Sequence, residues 1–202
     1  RLWAAPGNAF FGTTVRSSDD LGGSWSGKDE GSIRFPEESD LALTRVWQIR
    51  PGREEEPERL FLQNHWGLYR SGDWGDSWED VANGVPSDFG FAMAMHPHDP
   101  DTVYIVPMES DGFRCCPEAK LRVYRTRDAG ESWHPLGEGL PQEGAYETVL
   151  RDALDTDDGE PAGVYFGTRS GKLWASGDDG ERWSLVRDGL PPVVCVKAAR
   201  LW

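Results

Sequence analysis

Three carboxylates are the side chains best suited to chemistry in this sequence. Glu109 and Asp111 fall in the long segment 107–121, and Glu147 directly follows Tyr146. A glycosidase needs two carboxyl groups, about 5–5.5 Å apart for retention of configuration or about 6.5–9.5 Å for inversion. Glu109, Asp111 and Glu147 are therefore candidates for such a pair, and the alternative for each is a solvated surface carboxylate.

A second set of side chains has the chemistry of metal ligands. His65, Cys115 and Cys116 are residue types that bind zinc or copper. The two cysteines are adjacent, which is poor spacing for chelation, and no Cys-x-x-Cys or His-x-x-x-His motif accompanies them. The acidic segment 155–160 has a calcium-like composition, but its glycine is misplaced for an EF-hand loop. We predict no metal site and no cofactor.

The sequence contains four copies of one pattern, and the strands and turns that these copies form must position the side chains named above. Each copy reads Ser or Thr, any residue, Asp, any residue, Gly, two further residues and Trp, and the copies begin at residues 18, 71, 126 and 176. This spacing is typical of one four-stranded propeller blade. The Asp can accept N–H groups of its own turn, Gly supplies a positive φ, and Trp is expected to be buried. We predict structural roles for Asp20, Asp73, Asp128, Asp178, Trp25, Trp78, Trp133 and Trp183.

Short apolar segments precede the last three copies in a regular order. Predicted first strands are 45–49, 91–95 and 147–150, and predicted second strands are 59–62, 102–106 and 163–166. Residues 2–5 fall where a second strand belongs, and residues 193–197 fall where a first strand belongs. We therefore predict a single all-β domain over 1–202, a four-bladed β-propeller whose first blade is closed by the C-terminal strand. Its blades span about 1–27 plus 193–202, 42–83, 90–138 and 146–189.

These copies resemble the BNR/Asp-box repeats of a family of β-propellers. That family includes sialidases, sortilin-type receptors, some xyloglucanases and photosystem assembly propellers. The segments 95–104 and 163–171 are similar to those of a bacterial branch labelled as sialidase or glycosyl hydrolase. The resemblance covers nearly the whole chain, and it is specific for fold but not for function. It implies that the repeat turns lie on one face and the ligand site on the other.

The resemblance also implies which residues would form a sialidase-like site. Such a site combines arginines for a substrate carboxylate with a Tyr–Glu nucleophile pair and an acid/base Asp. Tyr146 and Glu147 match the pair, while Glu109 and Asp111 are catalytic candidates by their location only. Family sialidases carry Arg-Ile-Pro before the first repeat, whereas Arg34-Phe35-Pro36 here follows it. The predicted substrate-binding residues are Arg34, Arg45, Arg114, Arg169, His65 and Trp66.

Two functions remain open at this point. The first is a sialidase-like, glycan-directed propeller that hydrolyses glycosidic bonds at the face opposite the repeat turns. The second is a non-catalytic binding or assembly scaffold that grips its partner with a flat aromatic patch. The candidate patch residues are Phe10, Phe11, Trp66, Phe89 and Phe91. Both functions imply a glycan or a protein as the ligand.

The composition excludes some other classes of partner. The chain has 202 residues and a formal net charge of −14, whereas binding to a nucleic acid requires a basic face. No run of 18 apolar residues is present, so no membrane-spanning helix is predicted. Three cysteines with one vicinal pair do not make a disulfide framework. We predict a cytoplasmic protein, with secretion after removal of a signal as the alternative.

Overall fold

The computed structural model describes residues 1–8, 12–27, 43, 45–52, 56–64 and 67–200. The chain divides into two compact units, Arg1–Val81 and Ala82–Trp202. Within the described ranges the regular structure is β-strand, apart from a 3-10 turn at Pro117–Ala119. None of the helical structure in these ranges is long and apolar enough to span a membrane. The all-β prediction is therefore confirmed.

The first unit contains one complete antiparallel sheet and two strand pairs. Its strands are β1 (Leu2–Ala4), β2 (Gly7–Asn8), β3 (Gly12–Thr13), β4 (Arg16–Ser18), β5 (Val46–Pro51), β6 (Leu60–Asn64), β7 (Leu68–Ser71) and β8 (Glu79–Asp80). β5 to β8 form a four-stranded sheet in chain order, while β1 pairs with β4 and β2 with β3. β6 is buried along its whole length.

The second unit contains two four-stranded antiparallel sheets, each in chain order. Its strands are β9 (Gly90–Met95), β10 (Val103–Pro107), β11 (Val123–Thr126), β12 (His134–Leu136), β13 (Val149–Thr156), β14 (Val164–Thr168), β15 (Leu173–Ser176) and β16 (Ser184–Arg187). Apolar residues from both sheets share one buried cluster. In that cluster the Phe166 ring packs edge-on against Trp183, with ring centroids 5.0 Å apart.

The four repeat turns have the same hydrogen bonds. In each turn the Ser or Thr hydroxyl donates to the Asp carboxylate over 2.6–2.8 Å. The same hydroxyl accepts the Gly N–H over 2.8–2.9 Å. The residue before Gly also has a positive φ, 56–65° at Leu21, Trp74, Ala129 and Asp179. The pattern therefore predicted the turn correctly, although two successive left-handed residues form it rather than Gly alone.

Burial of the four repeat tryptophans differs from the prediction. Trp133 and Trp183 are 6% and 3% exposed, whereas Trp25 is 41% exposed. Trp78 is half-buried. The prediction that all four are buried is therefore wrong for Trp25. Trp183 packs among residues of two four-stranded sheets. Trp25 follows β4, whose partner among the described residues is β1 alone.

The C-terminal segment does not form the predicted strand. Residues 193–197 contain one isolated bridge, a parallel one between Cys195 and Asp152 of β13. The Val193 N–H donates to the Thr168 carbonyl over 3.0 Å. Asp152 lies where the register of β13 against β14 shifts, so its backbone is free to pair with the tail. The predicted strand at 193–197 is wrong, and the closed four-bladed ring is not confirmed.

Candidate functional site

Three segments of the second unit meet at the ends of its sheets opposite the repeat turns. They are residues 108–122, 137–148 and 169–172, which we call the loop surface. Antiparallel order requires this placement, because the β10–β11 and β14–β15 connections leave the sheets at the ends away from those turns. Backbone and hydroxyl groups hold the segments together: Cys116 N–H donates to the Glu147 carbonyl over 3.0 Å, and Arg169 N–H to the Thr148 carbonyl over 2.9 Å.

Glu147 is buried on this surface, and both of its carboxylate oxygens accept hydrogen bonds. Lys172 Nζ donates to Oε1 over 2.7 Å, and Ser170 Oγ donates to Oε2 over 2.6 Å. Burial favours a higher pKa for Glu147, but the hydrogen bonds from Lys172 and Ser170 outweigh it, so the pKa lies below its usual value. The same hydrogen bond raises the pKa of Lys172. Glu147 is therefore a fixed anion inside an ion pair.

Arg114 and Asp111 are also paired with each other. Arg114 Nε donates to the Asp111 carboxylate over 3.0 Å and to its carbonyl over 3.1 Å, and the guanidinium Nη2 also bonds to the carboxylate. Thr148 Oγ1 donates to the Arg114 carbonyl over 2.5 Å, which fixes the loop to the start of β13. The structure thus brings Asp111 and Arg114 together as neighbours and leaves both side chains partly exposed.

Two aromatic side chains project from the loop surface into solvent. Tyr146 is 68% exposed and Phe113 is 58% exposed. They flank the hydrogen bonds that join the first and second segments of the surface. Phe113 was not among the predicted site residues, since a single aromatic in an irregular loop carries no pattern that marks it. Arg169 and Glu109 are exposed on the same surface.

Cys115 and Cys116 are buried free thiols beneath this surface. Burial raises the pKa of Cys116 to about 12, although its thiol donates to the Glu147 carbonyl. Burial also raises the pKa of Cys115, with a further contribution from the Glu109 carboxylate. Both cysteines are therefore protonated at neutral pH. Within the part of the chain that the structure describes, no group of three or more His, Cys, Asp or Glu side chains could hold a metal ion.

Several predicted residues fall elsewhere. Arg45 is exposed in the first unit, where its guanidinium carbon lies 5.9 Å from the centroid of the Trp47 ring. Phe89 is buried, so its predicted place in an exposed aromatic patch is wrong. Others lie outside the described residues: Arg34, His65, Trp66, Phe10 and Phe11. Phe91 lies in β9, and its part in the patch stays a prediction, as do the substrate-binding roles of the arginines.

Lys172 and Ser170 were missed by the sequence analysis. They lie 25 and 23 positions after the carboxylate that they bind. The turn at 169–172 is recognisable from its glycine, which has a φ of +87°. Nothing in the spacing indicates that this turn reaches Glu147, because the contact depends on how β13 and β14 pair.

Comparisons with known proteins support the fold. No family model matches the sequence, and no curated protein matches it. The crystal structure of an ancestral GH74 enzyme is similar to this chain, with a TM-score of 0.60 and 18% sequence identity. The match covers 84% of this chain and 21% of the enzyme. The Niastella koreensis GH74 enzyme is also similar, with a TM-score of 0.53 and 15% sequence identity. That match covers 72% of this chain and 22% of the enzyme. A structure of YCF48 bound to D1 peptide has a TM-score of 0.49 at 16% identity and covers 86% of this chain and 47% of its own.

The chain spans about a fifth of the length of the two GH74 enzymes. At this level of identity the likeness concerns the fold alone. The four-stranded antiparallel sheets of the chain are blades of the β-propeller type.

Proposed function

We propose that this chain is a BNR/Asp-box propeller segment whose loop surface binds a glycan without hydrolysing it. The four identical repeat turns and the four-stranded sheets support the family assignment. The observation that carries the functional part is the state of Glu147, the predicted partner of a Tyr–Glu nucleophile pair. Its two oxygens are bound by Lys172 and Ser170 rather than by Tyr146.

A paired anion of this kind is unsuited to acid/base catalysis. A general acid at neutral pH requires a carboxyl group whose pKa is raised by its surroundings. The pKa of Glu147 is lowered instead, because the hydrogen bonds from Lys172 and Ser170 outweigh the effect of burial. Asp111, a second catalytic candidate, is paired with Arg114, while Glu109, the third, is exposed. Two of the three candidate carboxylates, Glu147 and Asp111, are therefore held in ion pairs.

The exposed groups that remain are suited to binding. Tyr146 and Phe113 are large apolar faces on loops that hydrogen bonds hold in place. Exposed aromatics on a rigid scaffold can stack on the apolar face of a sugar ring, and the Tyr hydroxyl can bond to its hydroxyl groups. Arg169, exposed beside them, offers a donor fork for hydroxyl or carboxylate oxygens.

Calorimetric titration with neutral β-glucan oligosaccharides and with sialyllactose tests this proposal. We expect one of these glycans to bind and Tyr146→Ala to weaken binding at least tenfold. Leu185→Ala, which removes an exposed apolar side chain from β16, is the matched control and should bind as the wild type does. Release of reducing sugar by the wild type, lost in Glu147→Gln, would show a hydrolase. Binding that is unchanged in both Tyr146→Ala and Phe113→Ala would show that the loop surface is not the site.

A further inference from the structure

The first unit contains a cavity of about 510 Å³ beside its first repeat. Strand β1 and strand β4 form one wall, and the second repeat turn forms the other. The lining residues that bear on its chemistry are Arg1, Trp3, Ser17, Asp19, Trp74 and Asp76. None of these belongs to the loop surface, so the cavity is independent of the glycan site proposed above.

Aromatic rings and one unpaired carboxylate define the chemistry of this cavity. The Trp3 and Trp74 rings are stacked, 6.0 Å apart and within 5° of parallel. Arg1 is held by Asp19 through two hydrogen bonds of 2.7 and 2.8 Å, and its guanidinium carbon lies 5.4 Å from the Trp74 centroid. Asp76 acts on Arg1 only through its charge, and its carboxylate accepts no hydrogen bond from the residues that the structure describes.

The second unit contains an equivalent backbone arrangement, in which a long basic side chain takes the place of a serine. Strand register makes Trp3 of β1 equivalent to Tyr104 of β10, because Trp3 pairs with Ser17 and Tyr104 pairs with Arg125. Trp3 Nε1 donates to the Trp74 carbonyl over 3.2 Å, and Tyr104 Oη donates to the carbonyl of the equivalent turn residue, Asp179, over 3.2 Å. The position that is Arg125 in the second unit is Ser17 in the first.

Arg125 occupies part of the equivalent space in the second unit, where a smaller cavity of about 220 Å³ remains beside Tyr104, Arg127 and Asp179. Arg125 Nη1 donates to the Asp179 carbonyl over 2.7 Å, and its Nη2 donates to Glu181 Oε1 over 2.7 Å. Arg125 is buried in this position. The groups it binds have counterparts in the first unit: the Trp74 carbonyl corresponds to that of Asp179, and Asp76 corresponds to Glu181. Ser17 is too short to reach either of them.

We propose that this cavity binds a guanidinium group supplied by a ligand, either a peptide arginine or a small guanidine. The guanidinium takes the place that Arg125 takes in the second unit. It donates to the Trp74 carbonyl and to the Asp76 carboxylate, and the indole faces favour a planar cation. The net charge of −14 attracts such a ligand.

The first test supplies the guanidinium from within the chain. Ser17→Arg should place a guanidinium on Asp76 and raise the Tm by about 2–4 °C. The gain should disappear when Asp76→Asn is added. Ser184→Arg, which puts the same charge on the exposed strand β16, should leave the Tm unchanged. A Ser17→Arg protein that is no more stable than the wild type would count against the proposal.

The second test supplies the guanidinium in solution. Calorimetry with N-acetylarginine amide should show saturable binding, at least tenfold tighter than with N-acetylcitrulline amide, its uncharged isostere. Ser17→Arg and Asp76→Asn should each weaken that binding at least tenfold. Equal binding of the two amides, or binding that survives Ser17→Arg, would overturn the proposal. Acetyl-Gly-Arg-Gly-amide binding more tightly than the single amino acid indicates a peptide ligand, and equal affinities indicate a small guanidine.

The second unit provides an internal check on the same chemistry. Arg125→Ser should enlarge the equivalent space there and lower the Tm. N-acetylarginine amide should restore part of the loss, and the citrulline compound should not. Restoration by both compounds alike would show that the space does not select a guanidinium.

Discussion

Asp128 in the third repeat turn should contribute measurably to the stability of the second unit. Its carboxylate accepts hydrogen bonds from Thr126 Oγ1 at 2.6 Å, Ser132 N at 2.9 Å and Ser132 Oγ at 2.6 Å. Each bond contributes about 0.5–1.5 kcal/mol, and water replaces part of this at an exposed turn. Asp128→Ala should therefore cost about 1–3 kcal/mol. Glu143→Ala, which removes an exposed carboxylate outside the turns, is the matched control.

The effect of Asp128→Ala should depend on pH. Burial favours a higher pKa for Asp128, but the hydrogen bonds from Ser132 and Thr126 outweigh it and lower the pKa to about 2. A carboxyl group with a lowered pKa in the folded state stabilises the fold above its ordinary pKa of 3.8. That contribution is lost as the pH falls towards 2. The stability difference between the wild type and Asp128→Ala should thus be largest at pH 5–7 and shrink below pH 4.

Urea unfolding at pH 6 and pH 2.5 measures both effects. The slope of unfolding free energy against urea should be the same for wild type and variant, which shows that the midpoint change reflects stability. Two results would refute the reasoning. One is an Asp128→Ala protein as stable as Glu143→Ala at pH 6, and the other is a stability difference that stays constant down to pH 2.5.

Two further perturbations concern the loop surface and the C-terminal segment. Lys172→Met leaves a buried carboxylate unpaired and should destabilise the protein by about 1–3 kcal/mol, whereas adding Glu147→Gln should recover part of that loss in thermal unfolding. An additive double variant would contradict the ion pair. Gly167→Ala should destabilise the protein because its Cβ would collide with Val193. Removing residues 193–202 should abolish the cost of Gly167→Ala, and a cost that persists in the shortened chain would contradict the observed tail position.

The repeat turns and most strand positions could be predicted because their causes are local. A Ser or Thr, an Asp and a Gly at fixed spacing satisfy the hydrogen bonds of the turn among themselves. The bounds of strand β13 could not be predicted from local sequence alone. The sequence predicted a strand at 147–150, whereas β13 runs from Val149 to Thr156. A register shift between Val149 and Leu154 lets this polar segment remain in the sheet, and the tail pairs with Asp152 there.

Only part of the loop surface could be anticipated from the sequence, for the same reason. Segments that leave the same ends of neighbouring sheets must meet, so placing Asp111, Arg114 and Glu147 on one surface required only the strand order. Their protonation and pairing required side-chain geometry. Lys172 reaches Glu147 only because the β14–β15 turn returns beside the start of β13. A list of acidic residues in loops therefore could not distinguish a catalytic carboxyl group from a structural ion pair.

Sequence variation outside the repeat pattern determines where this fold can bind ligands. The hydroxyl, carboxylate and glycine of each turn satisfy one another, so these groups are unavailable to a ligand. The side chain of the residue just before the turn takes no part in these hydrogen bonds. When it is Arg125, it bonds to the next turn, and when it is Ser17, the corresponding space is open beside two tryptophans. The length of this side chain therefore changes how much space lies beside the next turn without altering the turn itself. We expect binding differences between repeats to follow this position rather than the Asp and Trp that identify the repeats.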